Sequence, residues 1–115
     1  MPFELSSSKA GSITLVELHG TIIAADDREW LHDVMQGFLD AGGTNFILDL
    51  GEITYIDSTG IGGLFEVLKM ASSEGGCVKL VHLTKRIHDV LQITRLSGVF
   101  EIYDDLQKAL ESFEA

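Results

Sequence analysis

Between Tyr55 and Gly63 the sequence YIDSTGIGG gathers a carboxylate, two hydroxyls and three glycines at the end of an apolar run. A serine in such a setting is either a structural cap or a working group. Asp, Ser and Thr are also ordinary residues for starting a helix. With Asp57 as the N-cap, its carboxylate accepts a hydrogen bond from the N–H of Thr59 or Gly60, which puts Ser58 at the first helical position with its hydroxyl toward solvent. Capping explains the acid and the hydroxyls but not Gly60, Gly62 and Gly63, because a glycine inside a helix costs about 1 kcal/mol relative to alanine. Such glycines either bring the helix close to its own neighbours or leave a bare surface for another protein's backbone. The residues alone leave both open.

Enzyme motifs fit the same letters poorly. A serine-hydrolase elbow needs Gly-x-Ser-x-Gly, but Ile56 stands where the first glycine belongs. A dinucleotide fingerprint starting at Gly60 and Gly62 meets Phe65 in place of its third glycine, and no Gly-Lys-Ser/Thr follows for a phosphate loop. The Asp-Thr/Ser-Gly of aspartic proteases is interrupted by an extra residue and occurs once. Asp49, near the end of NFILDL, invites comparison with the phosphoacceptor of response-regulator receivers, but LHGTII offers no acidic pair to hold magnesium. His19, His32, His82 and His88 make no close ligand pair. No catalytic group, metal or cofactor is expected.

The elements that must position Ser58 follow from hydrophobic periodicity. SITLVELHG (Ser12 to Gly20) reads as a strand, with FEL near the N-terminus pairing to it across a Ser-Gly-rich turn. From Asp26 the spacing becomes helical, with Trp30, Leu31, Val34, Met35, Phe38 and Leu39 on one stripe and Gly42-Gly43 as the stop. NFILDL is a nearly continuous apolar run, as in a strand covered on both faces. A second helix beginning near Ser58 carries Ile61, Leu64, Phe65 and Leu68 on one face. CVKLVHL is a further strand, and Thr84 caps a helix with Ile87, Val90 and Leu91 inward, fraying at RLSG. VFEIY is a last short strand, and Asp104 is the expected cap of a final helix bearing Leu106, Ala109, Leu110 and Phe113. This alternation predicts an α/β fold: a mostly parallel mixed sheet of four to five strands, antiparallel at its N-terminal edge, packed against about four helices.

The chain's 115 residues suit a single domain spanning 1–115, large enough to bury a core. With 18 acidic against 8 basic residues, the formal charge of −10 repels phosphate backbones and anionic lipid, so neither nucleic acid nor membrane is an expected partner. MPFELSSSKAG lacks the basic start and apolar run of a signal peptide, and no stretch reaches the roughly 20 apolar residues of a membrane span. A cytoplasmic location is expected. Cys77, the single cysteine, cannot form an internal disulfide and reads as a small buried strand residue.

Two segments carry a further likeness. LDLGEITYIDSTGIGGL and, downstream, LQITRLSGVFEIYDD resemble the STAS domains of bacterial anti-sigma-factor antagonists, and the likeness spans nearly the whole chain. The resemblance implies a non-enzymatic switch. Ser58, the hydroxyl directly after the acid, would be the phosphoacceptor for a partner that is both anti-sigma factor and serine kinase, and the unphosphorylated form would bind that partner and free the sigma factor. A serine phosphatase would restore the active form. Asp57, Thr59, Gly60, Ile61, Gly62 and Gly63 would form the partner-binding surface, Gly60 and Gly62 giving close approach and Ile61 an apolar contact. The turn Gly20-Thr21-Ile22-Ile23 departs from the family by lacking its usual acidic residue. An alternative under the same resemblance is a STAS module serving as scaffold or regulator of another signalling or transporter complex, with Ser58 unmodified.

Overall fold

A tight turn at Gly11, in the left-handed region at φ +64, folds the first two strands onto each other. The computed structural model describes residues 3–22, 25–93, 95 and 98–113. β1 (Phe3–Ala10) and β2 (Ile13–Ile22) pair antiparallel from Phe3↔Gly20 to Ala10↔Ile13. The first strand is therefore longer than FEL. Ser6, Ser7 and Ser8, expected in the turn, lie within it with exposed side chains, a composition that an edge strand tolerates because it buries little.

The helix α1 (Ala25–Asp40) buries Leu31, Met35 and Leu39. Trp30, expected on the same stripe, stands 42% exposed. After Gly42, the strand β3 (Asn45–Ile56) continues well past its apolar start, because β2 extends alongside it through two register shifts, at Glu17/His19 and Gly20/Thr21. Then follow α2 (Ser58–Ser73), β4 (Cys77–Val81) and α3 (Lys85–Ile93). Thr84 caps α3 as expected, its Oγ1 accepting from the Ile87 N–H at 3.3 Å. β5 (Glu101–Tyr103) is shorter than VFEIY, since Val99 is exposed while Phe100 already turns into the core. α4 (Leu106–Ser112) starts one residue later than expected. Its cap is Asp105, which accepts from the Lys108 N–H at 2.8 Å, and not Asp104, which is exposed and 3.9 Å from the Lys108 ammonium. Ile23 of the departing turn, and Thr94, Leu96 and Ser97 of the downstream segment, lie outside the described residues.

The strands line up in sequence order, β1-β2-β3-β4-β5, antiparallel at the first pair and parallel thereafter. This is the expected α/β architecture. Three successive crossovers between parallel neighbours all advance in one direction. One handedness of connection therefore places α1, α2 and α3 on the same face of the sheet. There they enclose the main core with Val16, Leu18, Leu48, Leu50, Val78 and Leu80. α4 follows the last strand, is free of that constraint, and covers the opposite face over Ile13, Ile47 and Val81. Among the described residues no helix is long and apolar enough to cross a membrane.

Candidate functional site

The β3–α2 junction is built from its cap inward. Asp57 is extended (φ −116, ψ −169), its Oδ1 accepts from the Gly60 N–H at 3.1 Å, and its carbonyl accepts from the Ile61 N–H at 2.9 Å. This is the cap expected from the sequence, and it places Ser58 as the first residue of α2 with its side chain exposed. Ile61, Leu64 and Val67 anchor the helix in the main core, each contributing about 1.5–3 kcal/mol by burial. The hydroxyl thus sits on a rigid element rather than a loop.

The glycines serve the fold. A β-carbon on Gly60 would collide with the carbonyl oxygen of Ile22 and come within 2.5 Å of Ile56 Cγ1, so this turn of α2 lies directly on the end of β2. Gly60 and Gly63 are buried, and Ile61 is 2% exposed. Around Gly60 and Ile61, both expected in the partner-binding surface, the chain itself fills the space, as it does beneath Gly63. What remains at the surface is the exposed Ser58, beside the half-buried Asp57, Thr59 and Gly62.

Three neighbours of this surface, Arg28, Tyr55 and Arg86, were given no role from the sequence. Arg28, from the first turn of α1, lies across α2 over Gly62 and Gly63 and pairs with Glu66 at 3.7 Å. Arg28, Gly62 and Glu66, together with Phe65, Lys69, Met70 and Ser73, border a groove of about 360 Å³ along α2. On another side Tyr55, 41% exposed, carries the Arg86 guanidinium over its ring at 4.5 Å. An exposed aromatic two residues before the capping acid is a usable signal for Tyr55. None exists for Arg28, which only the packing of α1 on α2 brings here.

Asp49 is held elsewhere on β3. Its Oδ2 lies 3.0 Å from His82 Nδ1, and its Oδ1 accepts from the Gly51 N–H at 2.9 Å. His82 itself lies in the left-handed region at φ +58. Among the described residues no group of three or more His, Cys, Asp or Glu is placed to hold a metal ion. Cys77 is half-buried rather than buried. Burial pushes its thiol above the ordinary 9.0, and its hydrogen bond to Glu101, at 3.4 Å, adds to the effect. The thiolate is therefore scarce at neutral pH.

The family model described as STAS domain matches residues 5–109. The chain belongs to the STAS domain family. A Thermotoga neapolitana protein described as a candidate anti-sigma factor antagonist homologue is 36% identical to this STAS domain over 87 residues, which are 76% of this chain and 74% of the other. Among solved structures, a candidate anti-sigma factor antagonist of Thermotoga maritima superposes with a TM-score of 0.86 at 24% identity, covering 96% of this chain and 95% of that one. The Bacillus cell fate determinant SpoIIAA, in its phosphorylated form, superposes with a TM-score of 0.71 at 14% identity, over 96% and 99% of the two chains. At those identities the two structures speak for the fold.

Proposed function

We propose that residues 1–115 form one STAS domain acting as an anti-sigma-factor antagonist in a bacterial partner-switching pathway in the cytoplasm. The unphosphorylated form binds an anti-sigma factor that is also a serine kinase and so releases the sigma factor. The kinase transfers the γ-phosphoryl of ATP to Ser58 Oγ: the new P–O bond forms, the bond to ADP breaks, and the serine proton leaves. A serine phosphatase reverses the step by hydrolysis.

The observation that carries this reading is the exposed Ser58 at the first position of a helix capped by the residue before it. The names of the relatives support the role, and a phosphorylated form exists for SpoIIAA. Phosphate adds about −1.5 to −2 charges to this surface. Placed at a helix N-terminus it is worth about 0.3–1 kcal/mol in favour of the fold, so folding survives modification. Docking does not, because burying an incompletely compensated charge costs several kcal/mol, or more than about a hundredfold in affinity. Asp57, Thr59 and Gly62 frame the docking surface, while Gly60, Ile61 and Gly63 shape it from beneath.

Incubation with the cognate kinase and ATP, read by mass spectrometry, is expected to place one phosphate on Ser58 and none on Ser58→Ala. Ser58→Asp is expected to weaken kinase binding with little change in the thermal melt. Modification confined to another residue, or equal binding by wild type and Ser58→Asp, overturns the reading.

A further inference from the structure

Arg28 follows a track that two glycines leave open. Its Cγ lies 3.2 Å from where a β-carbon on Gly63 would stand, and its Nη1 lies 2.9 Å from the same point on Gly62. A side chain at position 62 would push the guanidinium off the face of α2. The track runs from Gly63 to Gly62 and ends beside Glu66. Gly62 is one helical turn after Ser58, on the same face, where β-carbons four residues apart lie about 5–6 Å from each other. The guanidinium therefore sits about one turn below the Ser58 hydroxyl, within reach of a group extending from it.

In the unmodified protein Arg28 is held loosely. Its contact with Glu66 is 3.7 Å long, and the two side chains are 40% and 39% exposed, conditions under which solvent screens most of the attraction. A phosphoserine would offer the same guanidinium up to two negative charges and three acceptor oxygens, in the fork geometry that arginine binds bidentately. Resting on the reading of Ser58 as phosphoacceptor, we propose that Arg28 is the intramolecular receiver of that phosphate, leaving Glu66 for the phosphoryl oxygens when Ser58 is modified. The phosphate is then tied down across α2 while the Glu66 carboxylate is released at the same surface. Modification thereby changes the charge of the groove as well as that of the helix start.

The test uses the full chain with phosphoserine incorporated during synthesis at position 58, so that it needs no kinase. The ³¹P resonance is titrated in the otherwise wild-type chain, in Arg28→Gln and in Arg28→Lys. A cation beside the phosphate favours the dianion, so the midpoint is expected about half a pH unit or more lower with Arg28 than with Gln, and intermediate with Lys. Arg28→Met keeps the stem packed over Gly63 and removes only the charge; it serves where the Gln variant is unstable and is expected to titrate like it. A purely structural arginine would alter the melt and leave the ³¹P midpoint unchanged. Coincident midpoints for wild type and both neutral variants overturn the proposal. If phosphoserine at 58 still abolishes kinase binding in that case, only the role of Arg28 is lost. Full binding by the phosphorylated chain overturns the reading of Ser58 instead.

Discussion

Two helices of this STAS domain begin in the same way and go on differently. Asp57 and Asp105 are both extended, and each accepts from the N–H three residues ahead, at 3.1 Å and 2.8 Å. After Asp105 the chain spends its next residues on packing: Leu106 and Leu110 lie against the sheet and Ala109 is buried. After Asp57 come an exposed serine and a glycine that touches the backbone of β2. The cap is thus common to both starts and marks no function by itself. The Asp57 start differs in presenting a small hydroxyl on a surface held rigid from below.

Gly60→Ala should break this support most severely. Its β-carbon meets backbone rather than a movable side chain, and overpacking of that kind costs about 3 kcal/mol or more, against which alanine's helix preference returns about 1 kcal/mol. Gly62→Ala displaces only the far end of Arg28, so the same helix preference of about 1 kcal/mol offsets its cost and the change should be near neutral. Urea denaturation of the two variants measures the difference, and equal midpoints would remove the tertiary explanation of the glycines.

The caps themselves are next in size. Asp57→Ala, losing a part-buried hydrogen bond, is expected to cost about 1–2 kcal/mol, and Asp105→Ala, whose bond is exposed, about 0.5–1 kcal/mol. Only the first should also weaken binding to the proposed kinase partner, as read by titration calorimetry. An equal loss of binding in both variants would show that the two starts do not differ in function.

The smallest effect belongs to the sheet edge near α4. Burial alone pushes the Glu101 carboxyl up, but hydrogen bonds from Cys77 and Tyr103 and the charge of Lys79 outweigh it and hold the group below its ordinary 4.5. A carboxyl depressed in the fold adds stability at neutral pH that is lost as the pH falls below about 4.5 through the folded value. Glu101 is half exposed, so the contribution is under about 1 kcal/mol. Glu101→Gln should flatten the acid side of the melting-temperature profile slightly and leave Ser58 phosphorylation untouched. An unchanged acid limb would mean that Glu101 adds nothing to the stability of this edge.

The order of elements, the two caps at Asp57 and Thr84, and the exposure of Ser58 were legible because each depends on residues a few positions apart. Strand lengths were less so. The serines of β1 and the stretch from Gly51 to Ile56 became strand through pairing with β2, which no local preference announces. Ile61 had the helical spacing of a core residue as well as a place in the motif, and it is buried in the core.

By itself the sequence determined that an alternating α/β chain would set Ser58 at a capped helix start beyond a buried strand, since capping and periodicity are local properties. Only the tertiary structure decided that Gly60 rests on β2, that α4 takes the second face of the sheet, and that Arg28 crosses α2 below Ser58. Those outcomes depend on which surfaces meet across more than thirty residues of chain, where packing rather than local preference sets the neighbours.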